Sequence, residues 1–395
     1  MQVRSTAGTK APWVLVAGGF HQEGGMDRLN AALARYLVAE GAPVYLVGYR
    51  IDEELTSAAG VSSYLINKTA GSFFLGQARL DRKGRAVAAK VTAAEPAARV
   101  VVNGVNCAWP DLDWVHFVNH AWPSRADHGP LWLRVKSRLE ARLTLRRERW
   151  LLPLARVLIA NSNRTARDLV QFVGVPEDRV VTVYPGVDES WVPATPAERI
   201  AARAWLSIDH ERPVVAFVGA LGHDPRKGFD TLWAAWQRLC ERHEWTATLI
   251  VAGGGRAVDD WRRIIARRGL EARVKMLGFT SRIPELLAAA DLLISPARYE
   301  PYGLNVHEAI CRGVPAMVTA ATGVAERYPA ALADMLIPDA EDAADLAARL
   351  LAWSTNIAVV RERFAPFRRF LASWTTDAMA SQIVAVAART RNKSA

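Results

Sequence analysis

Two glutamates in one short stretch are the first candidates for site chemistry in this sequence. Glu300 and Glu308 stand eight positions apart in ARYEPYGLNVHEAICRG, on either side of a Pro-Tyr-Gly turn. A helix that begins after such a turn offers free amides and a positive dipole end to a polar ligand. Both side chains can then face the same ligand, one toward the hydroxyls of a sugar and the other toward a second polyol such as ribose. The amides beside them would be those of Gly303, Leu304 and Asn305.

The same residues also allow a purely structural interpretation. Asn305 could be the N-cap of a short helix, Glu308 its N3 partner in a capping box, and Gly313 the C-terminal stop. On that interpretation the segment is only a helix that starts acidic. The choice depends on what else the chain places beside the two glutamates.

A pair of cations, Arg226 and Lys227, lies in GHDPRKGFD, directly after the predicted strand at residues 213–219. Arginine can hold phosphate oxygens in a bidentate manner, and lysine supplies a point charge. Two solvated loop cations are the structural alternative. Their position at the carboxyl end of a strand favours an anion site.

Two further features follow strands of the first half. Gly24 and Gly25 precede the first predicted helix, where glycines let a phosphate approach backbone amides closely, although a tight turn also needs glycine. The stretch WVHFVNHAWP contains His116 and His120. A buried structural histidine is the usual alternative, but His120 falls just past the strand end, where a ligand is expected.

An Asp-x-Asp pattern at Asp111 and Asp113 would suit a metal-dependent transferase. We expect no metal ion, because the surrounding architecture is of another type and the phosphate-binding cations make a metal unnecessary. The sequence has three cysteines, scattered without metal-ligand spacing, as expected for reduced intracellular thiols. We therefore predict neither a metal nor a cofactor.

These candidates need strands to position them. The chain opens with an apolar strand, WVLVAGG, then a loop, a helix with apolar residues at i, i+3, i+4 spacing, and a second strand, PVYLVGY. Glycines at the carboxyl end of the first strand imply a parallel sheet with its site there. Further strands of the first half are predicted at 99–103, 114–118, 156–160 and 179–184.

The pattern begins again after YPGVDESWVPATPAE, a segment rich in proline and turn formers. The helix after Gly228 carries an apolar stripe, including Trp233 and Trp236, which we interpret as core. A helix-rich tail follows from about residue 340. This alternation predicts an α/β fold with two Rossmann-like doubly wound domains that face each other across a cleft. Strands of the second half are predicted at 213–219, 246–253, 272–278, 291–295 and 315–319.

Bulk composition sets the class of protein. The 395 residues are 51% hydrophobic and 23% charged, which indicates a globular chain of two domains or one large one. No stretch reaches the roughly 18 apolar residues of a membrane-spanning helix. The apolar patch near the N-terminus is too short for a signal-peptide core. We therefore expect a cytoplasmic protein.

The net charge of +10 favours phosphate-rich small molecules, nucleic acid or an anionic membrane surface as partners. The charge is concentrated in LRVKSRLEARLTLRRERW, where seven cations face only Glu140 and Glu148. A solvated helix face and a role at a membrane surface or an acidic substrate are both open. We do not expect nucleic acid, because no binding motif accompanies the charge.

Together these motifs resemble glycosyltransferase family 4, the retaining glycosyltransferases of GT-B fold, also described as glycosyl transferases group 1. The resemblance includes the Gly-Gly loop, the histidine after HFVN, IANSNRTARDL, VGVPEDRVVTVYPGVD and PRKGFDTL. Its strongest part is LGFTSRIPELLAAADLLISPARYEPYGLNVHEAICRGVPAMVT with TGVAE. Glu300 and Glu308 fit the family's E-x7-E motif.

The resemblance implies a role for each matching residue. Gly24 and Gly25 would approach the diphosphate of a nucleotide-sugar donor, and Arg226 and Lys227 would neutralise it. Glu300 would bind the donor sugar's hydroxyls, with Glu308 on the nucleotide ribose. The other implied donor contacts are the amides of Tyr302, Gly303 and Leu304, His120 near the reacting carbon, and Phe279 and Arg282 beside the nucleobase.

The resemblance also implies a domain plan. Residues 1–190 would form an N-terminal acceptor domain, residues 191–371 the donor domain, and the last helix, 372–395, would cross back onto the first domain. Many members have Gly-Arg-Leu where this sequence has Gly219-Ala220-Leu221. Either Arg226 carries more of the diphosphate binding or the donor is bound in an unusual way. Similarly, Pro296-Ala297-Arg298 replaces Pro-Ser-Arg and Thr322-Gly323 replaces Gly-Gly.

The implied activity is transfer of a sugar, with retention, from a nucleoside diphosphate to a hydroxyl acceptor, as in polysaccharide biosynthesis. The acceptor could be a glycan, a lipid-linked molecule or a small molecule, and the basic stretch favours a lipid-linked or anionic one at the inner face of the membrane. A sugar-nucleotide 2-epimerase of the same fold is the nearest alternative. A non-catalytic basic protein that binds membrane or nucleic acid would leave the two glutamates and Lys227 unexplained.

Overall fold

The computed structural model describes residues 10–67, 73–123 and 131–392. The chain divides into two compact units. Unit 1 contains Met1–Pro123, Arg142–Gly186 and Thr376–Ala395, and unit 2 contains Ser124–Ala141 and Val187–Thr375. The chain therefore leaves unit 1 for residues 124–141, which the sequence prediction kept in the first domain. It leaves unit 1 again after Gly186, where the prediction had residue 190, and returns at Thr376, where it had residue 372. The acceptor and donor roles of the two units stay predictions.

The strands are short and mostly buried, and valine, leucine, isoleucine and alanine dominate them. Such continuous apolar runs, without alternation, are typical of parallel strands covered on both faces. Within the described residues the strands are β1 (Trp13–Val16), β2 (Gly19–Phe20), β3 (Val44–Gly48), β4 (Arg50–Ile51), β5 (Val61–Leu65), β6 (Arg99–Val102), β7 (Leu112–Val115), β8 (Val157–Ala160), β9 (Val180–Thr182), β10 (Val214–Val218), β11 (Thr248–Ala252), β12 (Val274–Gly278), β13 (Leu292–Ser295), β14 (Ala316–Thr319) and β15 (Leu336–Ile337).

Helices connect most of the strands. The helices of the described ranges are α1 (Gly25–Ala39), α2 (Glu53–Ser57), α3 (Phe73–Ala94), α4 (Leu131–Leu151), α5 (Asn163–Asp168), α6 (Pro196–Trp205), α7 (Phe229–Cys240), α8 (Val258–Arg267), α9 (Ile283–Ala289), α10 (Leu304–Cys311), α11 (Ala343–Ser354), α12 (Ile357–Ala372) and α13 (Thr376–Asn392). Local sequence explains several starts. Thr195 and Glu198, for example, form a capping box with a proline at the first turn of α6.

Unit 1 contains a parallel sheet of seven described strands in the order β5-β3-β1-β6-β7-β8-β9. The order reverses between β1 and β6, and ligands of doubly wound sheets bind beyond the carboxyl ends of strands at such a point. The Gly24-Gly25 loop and α1 follow β1, which places them at this end of the sheet. The last helix, α13, packs against α1.

Unit 2 repeats the plan with a parallel sheet whose described strands run β12-β11-β10-β13-β14-β15. Its order reverses between β10 and β13, so the segments after Val218 and Ser295 should hold the ligand groups. The stripe on α7 is core, as predicted, since Trp233 and Trp236 are buried.

Two sequence expectations need correction here. The strand predicted at 114–118 runs from Leu112 to Val115, so His116 lies just after it. The sequence analysis predicted no element between PVYLVGY and residue 99, but β5 and α3 lie in this interval. Finally, no helix in the described part of the chain is long and apolar enough to span a bilayer.

Candidate functional site

The turn before α10 is built on glycine. Gly303 is the N-cap of α10 with φ 106°, a conformation that favours glycine, and an added Cβ would lie 3.2 Å from Val324 Cγ1. The capping-box interpretation is therefore wrong, because Asn305 lies inside the helix. Its Nδ2 instead donates to the Val218 carbonyl at 2.8 Å, which ties α10 to the end of β10. Gly313, at φ 88°, does follow the helix end.

The structure brings Glu300 and the predicted phosphate-binding cations together. The Lys227 ammonium donates to Glu300 Oε2, and Arg226 Nη1 lies 3.8 Å from the same oxygen. Arg226 Nη1 also donates to the Tyr299 carbonyl at 3.2 Å. The three side chains are partly buried, at 14 to 22% exposure, so solvent screens their charges only in part. They form an ionic cluster at the point where the strand order of unit 2 reverses.

The loop that carries the two cations is fixed by its neighbours. The Asp224 side chain accepts a hydrogen bond from the Arg226 amide at 3.0 Å and starts a single 3-10 turn, Pro225–Lys227. Gly228 then adopts φ 68°, and a Cβ there would lie 1.9 Å from the Pro296 carbonyl oxygen. Only glycine lets the loop after β10 approach the loop after β13 this closely.

Arg298 links the same two loops, a role that the sequence analysis did not assign. Its guanidinium donates to both carboxylate oxygens of Asp230, at 2.6 and 2.8 Å, to the Pro225 carbonyl at 2.6 Å, and to Glu341. Burial lowers the pKa of Arg298, but the hydrogen bonds and charges of Asp230 and Glu341 outweigh it and raise the pKa. The charged Arg298 guanidinium therefore holds the loop after β13 to the segment after β10.

The segment after β14 holds the backbone of the Glu300 loop. The Gly323 amide donates to the Glu300 carbonyl at 3.0 Å, and the Val324 amide donates to the Tyr302 carbonyl at 2.8 Å. The Thr322 hydroxyl donates to the Thr319 carbonyl at 2.9 Å and fixes the start of this segment. The TGVAE stretch thus orients the loop from which the Glu300 side chain projects.

A buried histidine supports the same turn from inside unit 2. His307 Nδ1 lies 2.9 Å from the Tyr302 hydroxyl, and Nε2 lies 3.1 Å from the Leu371 carbonyl. Because a carbonyl only accepts, Nε2 donates and Nδ1 accepts from Tyr302. Burial lowers the pKa of His307 to about 4, so the ring is neutral near pH 7. The neighbouring Glu308 is also buried, with 6% exposure.

The residues predicted beside the nucleobase occupy different surroundings. Phe279 follows β12 directly and is 76% exposed. Arg282 precedes α9, where its guanidinium stacks 3.8 Å above the Trp205 ring and pairs with Glu285 at 3.3 Å. An exposed aromatic ring at a strand end can stack on a base, so the assignment of Phe279 and Arg282 remains a prediction.

In unit 1, Gly24 is the N-cap of α1 and Gly25 its first residue. Gly24 adopts φ 81°, and an added Cβ would meet no atom within 4 Å in the described structure. The glycine is therefore needed for backbone conformation and not for space. Gly24 has no side chain to cap the first amides of α1, and such amides at a helix start can bind an anion.

His120 is held by a carboxylate that the sequence analysis counted only as a surface countercharge. Glu148 Oε2 lies 2.6 Å from His120 Nδ1 and accepts from the His120 amide at 2.8 Å. Its Oε1 accepts from the Asn119 amide at 2.7 Å and from Asn119 Nδ2 at 2.9 Å. Glu148 is 1% exposed. Since an ionised carboxylate only accepts, His120 Nδ1 carries a proton and Nε2 faces away from the pair.

The other polar residues of this region are structural. His116 is buried against Trp114, with ring centroids 4.5 Å apart, and burial lowers its pKa to about 3. Asp111 accepts from Arg156 at 2.5 Å and from a strand amide at 2.9 Å. Asp113 accepts from the Gly104 amide at 2.8 Å, and burial raises its pKa. These contacts occupy the Asp-x-Asp carboxylates inside the fold.

Both halves of the chain match known family models. Residues 23–191 match Glycosyltransferase Family 4, and residues 212–356 match Glycosyl transferases group 1. Together the two matches span most of the chain.

Individual relatives match over a shorter part of the chain. An uncharacterised glycosyltransferase of Methanocaldococcus jannaschii is 28% identical over 173 residues, 43% of this chain and 43% of that protein. The D-inositol 3-phosphate glycosyltransferase of Nocardia farcinica is 32% identical over 175 residues, 42% of this chain and 38% of that protein. The matched segment thus spans less than half the length of these relatives.

Solved structures match over nearly the whole chain. Sucrose-phosphate synthase from Thermosynechococcus elongatus superposes with a TM-score of 0.77 at 19% identity, covering 98% of this chain and 100% of that one. Anabaena HepE, solved with UDP and glucose, superposes with a TM-score of 0.67 at 18% identity, covering 95% and 99%. At these identities the likeness establishes the fold alone.

Proposed function

We propose that this chain, which belongs to the glycosyltransferases of GT-B fold, transfers a sugar from a nucleoside-diphosphate sugar to a hydroxyl acceptor with retention at the anomeric carbon. The observation that carries the proposal is the cluster of Lys227, Arg226 and Glu300 where the strand order of unit 2 reverses. A sugar carries hydroxyls and a diphosphate carries negative charge, and this cluster offers a group for each.

The side chains of this cluster can change their ionic partners when the donor binds. Lys227 and Arg226 now neutralise Glu300, and a diphosphate would compete for the same cations. Glu300 would then accept hydrogen bonds from the sugar hydroxyls, and the amides of Tyr302, Gly303 and Leu304 would contact the same ligand. Glu308 would hold the ribose. The loops are already fixed by Arg298 and Gly228, so little ordering is needed on binding.

The same cations would assist bond cleavage. As the glycosidic bond to the diphosphate breaks, negative charge grows on the leaving phosphate, and groups aimed at that position stabilise the transition state. Arg226 and Lys227 would supply this stabilisation in place of a metal ion, and no cofactor takes part. Arg226 would carry more of it because Ala220 stands where many members have arginine.

Retention would follow from front-face attack. The leaving phosphate helps to accept the proton of the acceptor hydroxyl, and positioning supplies much of the rate. We assign no carboxylate as a covalent nucleophile of the kind that retaining hydrolases use. His120 would contact the donor sugar near the reacting carbon, with Glu148 fixing its tautomer and orientation. Gly24 and Gly25 would contact the diphosphate.

For the acceptor, we propose a lipid-linked or anionic molecule at a membrane surface. Helix α4 exposes four large apolar side chains at mostly helical spacing and several arginines between them. The apolar group is Val135, Leu139, Leu143 and Trp150, and the exposed arginines are Arg138, Arg142, Arg146 and Arg149. A basic amphipathic helix of this kind binds the interface of an anionic membrane.

The test uses the full chain with a panel of nucleotide sugars, with UDP-glucose first because HepE was solved with UDP and glucose. Thermal shift reports donor binding, and mass analysis reports products. We expect Lys227→Ala and Glu300→Ala to abolish transfer, while Arg267→Ala, an exposed arginine on α8, leaves it unchanged. Undiminished transfer in both site variants would contradict the assignment.

The same experiment separates the alternative activities. A sugar-nucleotide 2-epimerase would change the donor without needing an acceptor and would leave the sugar on its nucleotide. A non-catalytic basic protein would bind DNA or anionic vesicles in a salt-dependent manner and would not be stabilised by any nucleotide sugar.

A further inference from the structure

A cavity of about 270 Å³ lies within unit 2, away from the Glu300 cluster. It is lined by residues at the ends of α9 and α10 and by one face of α12. Ala290 and Val314 of its wall precede β13 and β14, whereas the Glu300 loop follows β13. A strand rises about 3.3 Å per residue, so the four residues of β13 alone separate the two places by roughly 13 Å. The cavity is therefore at the opposite end of the sheet.

Four arginines line this cavity, and two of them have clear structural roles. Arg199 donates to the carbonyl of Ala289, the last residue of α9, at 3.4 Å, to that of Ala290, which follows it, at 3.1 Å, and to Asp291 at 2.6 Å. Arg312 donates to Glu198 at 2.7 Å and to the Val192 carbonyl at 3.0 Å. These contacts cap a helix and join segments, and they need no ligand to explain them.

The other two, Arg361 and Arg368, are not explained in this way. They stand seven residues apart on α12, on the same face as Phe364. Arg361 pairs with Asp291 at 2.8 Å, but that carboxylate already pairs with Arg199 and Arg203. Arg368 has no carboxylate partner among the described residues. Among the same residues, no aspartate or glutamate side chain lines the cavity. The cavity therefore has an excess of positive charge.

We propose that this cavity binds a small soluble phosphate ester, with its phosphoryl group between Arg361 and Arg368 and its remainder against Ile310 and Phe364. Guanidinium groups match phosphate oxygens in bidentate geometry. The volume lies just below the roughly 300 Å³ at which pockets for drug-sized ligands begin, which suits a ligand of about sugar-phosphate size. The site is separate from the donor cluster and does not depend on the proposed transfer reaction.

The test is calorimetric titration of the full chain with inorganic phosphate. The starting protein is the Arg226→Ala/Lys227→Ala variant, so that the donor cluster does not contribute. We expect this variant to bind phosphate and the further substitution Arg368→Gln to weaken binding at least about tenfold, through loss of a charge-assisted hydrogen bond. Arg368→Gln removes no ion pair seen in the described residues, so folding should be unaffected, as a melting curve would confirm.

Arg369→Gln is the matched control, because Arg369 is exposed, one position further along α12, and not part of the cavity wall. It should bind phosphate like the starting protein. The proposal is overturned if the starting protein binds no phosphate, or if Arg368→Gln and Arg369→Gln bind it equally. A lipid source is tested with phosphatidylglycerol vesicles. Vesicle binding that requires Arg368, without binding of free phosphate, would overturn the assignment of a soluble ligand.

Discussion

Glu148 accepts four hydrogen bonds from two adjacent residues, and one of them, 2.6 Å long, comes from His120 Nδ1. In Glu148→Gln one oxygen becomes an NH₂ group that faces two donors. A buried donor left unsatisfied costs about 1–3 kcal/mol. We expect kcat for transfer to fall roughly tenfold, with a lower melting temperature.

A double-mutant cycle separates positioning of His120 from a general loss of stability. If Glu148 acts through His120, Glu148→Gln should lower kcat little further in a His120→Ala background, although it should still lower the melting temperature. Additive losses of kcat in the double variant would show that Glu148 does not act through His120.

The role of Glu148 was not visible in the sequence because its neighbours concealed it. It lies 28 residues from His120 in a stretch dominated by exposed arginines, so its charge was assigned to the surface. By contrast, the placement of Lys227 and Glu300 at the same end of the unit 2 sheet followed from alternating strands and helices, because parallel strands deliver their following loops to one edge of the sheet. The position of a residue after a parallel strand therefore predicts which residues lie near it, whereas the periodicity of side chains along one helix does not.

Backbone conformation explains the other differences between sequence and structure. The capping box required Asn305 to precede the helix, but glycine at 303 adopts a positive φ and starts α10 two residues earlier. The strand β5, VSSYL, is an edge strand with mostly exposed residues, so it lacks the apolar run by which the inner strands were recognised. His307 was missed because a histidine between Val306 and Glu308 carries no sign of its buried partners.

Gly228→Ala tests the close approach of the two loops. An added Cβ would lie 1.9 Å from the Pro296 carbonyl oxygen, and φ 68° costs a further 1–2 kcal/mol or so for a residue with a side chain. We expect a lower melting temperature and weaker donor binding. The control is Gly269→Ala in the same unit, since it has a similar φ of 64° but no described atom within 4 Å of its Cβ. Equal losses of melting temperature and of donor affinity in the two variants would argue against a specific clash at Pro296.

His307 should make stability depend on pH. Its folded pKa of about 4 lies below the ordinary histidine value of 6.5, so the unfolded chain takes up the proton first as pH falls. The stabilisation is complete above pH 6.5 and is lost progressively toward pH 4. At pH 5 the loss from this group is about 2 kcal/mol.

Urea unfolding at pH 7 and pH 5 measures this loss. In His307→Gln, the difference between the two pH values should shrink by about that amount, while His116, whose pKa is lowered to about 3, keeps its own contribution. His243→Gln, an exposed histidine, is the control and should leave the difference unchanged. An equal pH dependence in all three proteins would mean that His307 is not the titrating group.

The exposed apolar and arginine side chains of helix α4 predict that the protein binds anionic lipid vesicles. Leu139 and Leu143 are 58% and 38% exposed, and burial of such a side chain is worth about 1.5–3 kcal/mol. Leu139→Gln/Leu143→Gln should therefore reduce binding to phosphatidylglycerol vesicles at least tenfold or so. High salt should also weaken wild-type binding, because each arginine near the surface contributes about 1 kcal/mol of electrostatic attraction.

The control for this surface is Val359→Gln, since Val359 is 55% exposed but lies on α12. This variant should bind anionic vesicles as tightly as the wild type does. Neither protein should bind neutral phosphatidylcholine vesicles. If the α4 variant binds as tightly as the Val359 variant, the exposed apolar side chains do not enter the membrane. Equal binding to neutral vesicles would rule out the arginines as the attracting groups, because their contribution requires a negatively charged surface.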